Sequence, residues 1–155
     1  MAAKPIPEGH ERATPYLCCR DAARAIEFYK NAFGATELSR LAEPGGKIGH
    51  AEIKIGESVI MLSDEYPDMG VRSPLALGGT PVSIHMYVKD VDALAKQAVA
   101  AGAQLERPVA DQFYGDRSAS LKDPFGHRWH ISTHKEDVSP EEMRKRYDAY
   151  MKQQG

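Results

Sequence analysis

The 155-residue sequence is poor in several things that would each have marked a protein class. It has two cysteines and a single tryptophan. Cys18 and Cys19 are adjacent, and neighbouring side chains on an extended chain point to opposite faces, so no framework disulfide is expected. No apolar run approaches the ~20 residues that cross a bilayer, and none of signal-peptide length follows Met1. The expected compartment is therefore the cytoplasm, with no membrane partner. Charge of one sign is also missing: 20 Lys and Arg stand against 22 Asp and Glu, a net charge of −2. The longest basic cluster, Arg144–Lys145–Arg146, lies among acids, so the clustered basic face of a nucleic-acid binder is not expected. There is no Gly-rich phosphate loop, no Gly-x-Ser-x-Gly elbow and no Cys-x-x-Cys pair. What remains is an ordinary globular composition, 42% hydrophobic and 27% charged, in a chain of single-domain length.

What is present is an internal repeat. Tyr16-Leu-Cys-Cys-Arg-Asp21 and His85-Met-Tyr-Val-Lys-Asp90 are strand patterns that end on a basic residue and an Asp, 69 positions apart. Each Asp opens an Ala-rich helical stretch, Ala22 to Phe33 and Val91 to Ala101, and each stretch stops at a Gly-Ala pair. Asp suits the N-cap because its carboxylate accepts first-turn N–H groups; Gly suits the position after a helix. Segments Thr36–Ala42 and Gln104–Ala110 supply a strand each. Gly49–Lys54 then aligns with Arg117–Lys122, and Val59–Ser63 with Arg128–Ser132. Gly56-Glu57 and Asp123-Pro-Phe-Gly126 form the hairpin turns.

Each half therefore reads β-α-β-β-β, over about residues 12–64 and 81–134, with a Pro/Gly-rich linker at 65–80. A final helix over 139–153 starts at Ser139 with Pro140 and the capping-box residue Glu142. Its Met143, Tyr147, Tyr150 and Met151 form a stripe that docks on its own domain or on a second copy.

Period-2 alternation assigns the strand faces. Leu17, Cys19, Ala51, Ile53, Ile60, Leu62, Ile84, Met86, Trp129 and Ile131 face the helices. The opposite face then holds Tyr16, Cys18, His50, Glu52, Met61, His85, Tyr87, Arg128 and His130. A merely wet face favours Lys, Glu and Thr. This mixture of rings, thiol, thioether and a few charges suits a pocket wall. Tyr114, in Tyr114-Gly-Asp-Arg117 before the seventh strand, is placed on the rim, with Asp116 and Arg117 paired in the turn. His127 and His134 are expected off that face, at the surface. No Cys–His–carboxylate arrangement marks Cys18 as a nucleophile.

Arg20-Asp21, Ala25-Ile-Glu-Phe-Tyr29, Phe33-Gly34 and Lys122-Asp-Pro-Phe-Gly-His-Arg-Trp129, set in paired βαβββ halves, resemble the vicinal oxygen chelate superfamily. That superfamily includes glyoxalase I, bleomycin-resistance proteins, fosfomycin-resistance enzymes and extradiol dioxygenases. The segments His50–Asp64 and Gln112–Arg117 are similar to its PhnB-like branch. The resemblance covers about Thr14 to His134. It implies an α+β fold, with two βαβββ modules in pseudo-twofold repeat forming a cupped mixed sheet, helices outside, and commonly a homodimer. It also implies up to four metal-ligand positions, which fall on Thr14, Met61, Ser83 and His130. Only His130 is a good ligand for a divalent ion; hydroxyls are weak and thioether favours soft ions. No cofactor is expected on those positions. If a divalent metal binds, the donors on the same face are His50, Glu52, His85 and His130.

Two functions follow as expectations. One is a metal-free protein that binds a small aromatic molecule in the cup. The other is a metal-dependent lyase, isomerase or dioxygenase using shifted ligands.

Overall fold

A computed structural model describes residues 2–155. The first repeat runs β1 (Tyr16–Cys18), α1 (Ala22–Phe33), β2 (Thr36–Ala42), β3 (Ile48–Ile55) and β4 (Ser58–Ser63). A 3₁₀ turn at Pro67–Met69 and a short helix α2 (Pro74–Leu77) follow. The second repeat runs β5 (Ser83–Tyr87), α3 (Val91–Ala101), β6 (Gln104–Asp111), β7 (Asp116–Lys122) and β8 (Arg128–His134), and helix α4 (Pro140–Gln154) ends the chain. The protein is mixed α+β, two βαβββ modules with a C-terminal helix.

Two compact units result: residues up to Thr80 together with Pro124–Gly126, and Pro81–Asp123 together with His127–Gly155. The first holds a four-stranded sheet of order β1-β4-β3-β2, the second one of order β5-β8-β7-β6. In each, the first and last strands of the module pair in parallel and the other neighbours are antiparallel.

In the first unit the alternating pattern buries Leu17, Ile48, Ala51, Ile53, Ile60 and Leu62 against α1, whose Ala25, Ile26, Phe28 and Tyr29 are buried in turn. Asp21 caps α1 by accepting from the Arg24 N–H at 3.2 Å. Asp64 joins the elements more firmly: one carboxylate oxygen accepts the Ala22 N–H at 2.9 Å, the other the Ile48 N–H at 2.7 Å. The stretch read as a plain linker is more ordered than its composition suggests. Tyr66 bridges Val71, and the Glu65 carboxylate accepts from Ser73 Oγ–H and N–H at the start of α2.

In the second unit Trp129, Ile131, Ala119 and Leu121 are buried under α3 through Val91, Ala95 and Ala98. The indole N–H of Trp129 donates to Asp123 at 2.9 Å, so the polar edge of this buried ring is satisfied. Thr133 ties α3 to β8: its hydroxyl accepts the Val91 N–H and donates to the Val88 carbonyl, both at 2.9 Å. Asp90 caps α3 on the Ala93 N–H at 3.0 Å. Helix α4 starts at Ser139, which accepts the Glu142 N–H at 3.2 Å. Its Tyr147 and Tyr150 rings meet Phe113 at 6.0 and 5.0 Å, so part of the expected stripe docks on its own unit.

Candidate functional site

The open face of the first unit is a row across all four strands of its sheet. Tyr16 is opposite Met61, Met61 opposite Glu52, and Glu52 opposite Ser39. The Tyr16 hydroxyl hydrogen-bonds His50 Nδ1 at 2.7 Å. His50 Nε2 and His10 Nε2 lie 3.5 and 3.4 Å from the same Glu52 oxygen. Cys18 is half-buried, its thiol directed to the Asp64 carbonyl at 3.8 Å. Burial, and then the Glu65 and Asp64 carboxylates, push that thiol up to about 11. It is protonated at neutral pH and is no nucleophile.

The open face of the second unit repeats this row with different chemistry. His85 is opposite His130, His130 opposite Ser120, and Ser120 opposite Arg107. A cavity of about 300 Å³ lies here, lined by His85, Arg107, Gln112, Tyr114, Ser118, Ala119, Ser120, His130 and Ser132. Both imidazoles are held by serines: His130 Nδ1 meets Ser120 Oγ at 2.7 Å, and His85 Nε2 meets Ser132 Oγ at 2.9 Å. Burial holds His130 below the ordinary histidine range, helped by His85 and the guanidinium groups of Arg107 and Arg128. It is a neutral ring at pH 7.

Beside the cavity runs a chain of polar groups. The Tyr87 hydroxyl donates to Asp116 at 2.7 Å, Asp116 meets His134 Nδ1 at 2.8 Å, and His134 Nε2 meets Asp137 at 2.8 Å. The hydrogen bond to Asp116 holds the Tyr87 phenol above its usual value, and Asp116 and Asp137 raise His134. The Tyr87 ring lies 4.8 Å from that of His85.

Two sequence readings are corrected here. His134 is part of β8, at the same parity as Arg128 and His130, and pairs with Asp116; β8 runs two residues past the point where the pattern seemed to end. Arg117 does not pair with Asp116. It turns to Asp92 at 2.8 Å and Asp111 at 3.1 Å, because Asp116 is turned to the other face of β7.

Of the residues named from the sequence, His85, Tyr114 and His130 line the cavity. Tyr87 stands next to His85, and Arg128 is engaged by Glu106 at 3.3 Å. Tyr16, Cys18, His50, Glu52 and Met61 belong to the first unit's face. Ser120, Ser132 and Arg107 were missed. The two serines were not singled out, because small polar residues carry no signal by type. Arg107 was hidden by a strand irregularity described below.

The donors do not fit a divalent metal site. The four metal positions that the resemblance implies, Thr14, Met61, Ser83 and His130, offer one imidazole. Of the alternative set, His50 and Glu52 are neighbours, and the His85 and His130 rings meet edge-on with centroids 6.5 Å apart. Among the described residues, no group of three or more His, Cys, Asp or Glu side chains is placed to hold an ion.

Two βαβββ repeats with a polar, ring-lined open face define a class of small α+β proteins built by module duplication. Residues 12–131 match the family model for the Glyoxalase/Bleomycin resistance protein/Dioxygenase superfamily, and the chain belongs to that superfamily. An uncharacterized protein of Mycobacterium bovis is 43% identical over 145 residues, covering 92% of this chain and 93% of that one. Among solved structures, TioX from Micromonospora sp. ML1 is 26% identical with a TM-score of 0.63, covering 83% of this chain and 100% of that one. A glyoxalase-related enzyme from Fulvimarina pelagi shares the fold, at 23% identity and a TM-score of 0.64, covering 79% and 88%. Among the described residues no helix is long and apolar enough to cross a membrane.

Proposed function

We propose that the protein binds a small aromatic molecule on the open face of its second sheet, without a metal, and works in the cytoplasm as a homodimer, the assembly its sequence resemblance implies. The observation that carries this reading is the cavity walled by His85, Tyr114 and His130. Its volume of about 300 Å³ is at the lower end of the ~300–1,000 Å³ range of ligand sites. Rings on the rim supply stacking area, and the two imidazoles, each fixed by a serine, orient polar edges of the guest. Orientation by pre-set side chains lowers the entropy lost on binding.

The proposal asks only binding and orientation of these residues. Cys18 is protonated, and His130 has no carboxylate on its ring to activate it as a base; its partner is a serine hydroxyl.

Thermal-shift screening against planar aromatic compounds tests the proposal. A ligand at ~100 times its Kd stabilises by ~2.7 kcal/mol. That stabilisation is expected to disappear in Tyr114→Ala with His130→Ala. Compounds that stabilise the double variant as well as the wild type would place binding elsewhere. Metal analysis of the purified protein supplies a separate check: near-stoichiometric zinc or iron lost in His130→Ala would favour the metal-dependent alternative.

A further inference from the structure

Resting on the reading of that cavity as a ligand site, we propose that its ligand is an organic anion, an aromatic or similarly compact carboxylate whose charged group is received by Arg107. Three observations support this.

The first is the charge of the wall. Of the residues lining the cavity, Arg107 carries the single permanent charge, and none is an acid. The others are neutral hydroxyls, an amide, rings and backbone. A guest carrying a cation would meet no counter-charge here.

The second is that Arg107 has no partner. The other arginines of this sheet are engaged: Arg117 by Asp92 and Asp111, Arg128 by Glu106. Arg107 makes no ion pair or side-chain hydrogen bond with another of the described residues. A guanidinium presents a planar fork of donors matched to a carboxylate, and such pairs are stronger than neutral hydrogen bonds.

The third is how the chain puts it there. Leu105 is opposite Leu121, and the next pairing is Arg107 with Ser120, so one residue is extra on β6. This is a β-bulge, which seats two residues of one strand against one of its neighbour and re-aims side chains next to sites. Without it, regular alternation would put Glu106 in line with Ser120 and His130. With it, Glu106 reaches across to Arg128 while Arg107 takes the place in the row. A second irregularity follows between Arg107 and Ala110. The acid is thus used up on a neighbouring cation, and the base is left at the cavity. The equivalent row of the first unit runs Tyr16, Met61, Glu52 and Ser39 and carries an acid instead. A positive row is therefore a property of this half and not of the repeat.

The test uses matched probes that differ in charge alone, benzoate and benzamide, with inorganic phosphate as a bare anion. Each is titrated into ¹⁵N-labelled full-length protein and followed at the backbone amides of Arg107, Ser120 and His130. Benzoate is expected to bind at least ten-fold tighter than benzamide, with phosphate weaker than benzoate. Arg107→Met should bring benzoate down to the level of benzamide and leave benzamide unchanged. Arg107→Lys should keep part of the preference, which shows that the loss in Met is one of charge and not of folding.

Equal binding of benzoate and benzamide by the wild type, or an undiminished preference in Arg107→Met, overturns the anion proposal while the pocket stands. Phosphate binding as tightly as benzoate overturns the organic part of it. Failure of all three probes to move these amides overturns the pocket reading, and this inference with it.

Discussion

Asp116 is 4% exposed and carries two hydrogen bonds from side chains, the Tyr87 hydroxyl and the His134 ring. A carboxylate so placed holds both rings in fixed positions. Asp116→Leu leaves two polar groups without their acceptor, and charged hydrogen bonds of this kind contribute ~1.5–3 kcal/mol each at most. A loss of about 2–4 kcal/mol in urea unfolding is the expected outcome. The histidines respond to pH with opposite signs. His134 is raised by Asp116 and Asp137, so its contribution is complete below the ordinary histidine value of ~6.5 and is lost as pH rises through its raised folded value. His130 is lowered by burial, so its contribution is present above ~6.5 and is lost as pH falls through its depressed folded value. Between pH 8 and pH 6, His134→Gln should therefore gain less stability than the wild type, and His130→Gln more. Denaturation midpoints at the two pH values measure both.

At the scale of elements, Gly115 joins the end of β6 to β7 with φ of +97°, and a Cβ there would run into the Glu136 carbonyl. Its own carbonyl accepts the Lys135 and Glu136 N–H groups at 2.9 and 3.0 Å, which fastens the turn to the exit of β8. Gly115→Ala meets both left-handed strain and backbone contact, and a loss of at least ~2 kcal/mol is expected. Because Tyr114 precedes it on the cavity rim, ligand affinity should fall as well. Elements were also what the sequence told best. The capped helices, the hairpins and the helix-facing residues follow from local rules: an Asp before an Ala-rich run, a Gly after it, and period-2 burial. Those rules fail where geometry departs from period. Alternation carried past the bulge in β6 assigns Glu106 and not Arg107 to the open face, and stopping β8 at Ser132 leaves His134 outside the strand. The corresponding irregularity between Glu37 and Ser39 in β2 was equally invisible. Hydrogen-bond partners chosen between distant elements, such as Asp92 of α3 for Arg117 of β7, have no signature in local sequence at all.

On the scale of the whole chain, the superfamily was legible from paired motifs, since a duplicated βαβββ pattern and an Asp-Pro-x-Gly turn constrain one another over more than 100 residues. The site was legible in part: strand faces followed the alternation except at His134, while the cavity's depth and the place of Arg107 depend on stagger. The homodimer is tested by light scattering during size exclusion. A mass of twice 17.1 kDa is expected, and a monomer at micromolar concentration would count against it.

The extra residue in β6 also bears on how such a protein changes its taste in ligands. Deleting Arg107 would remove the first of the two irregularities in β6 and bring Glu106 opposite Ser120. The cavity would then carry a negative charge in place of a positive one, with every other wall residue untouched. If the cavity takes an anion as proposed, the loss of a single codon would turn that preference towards a cation.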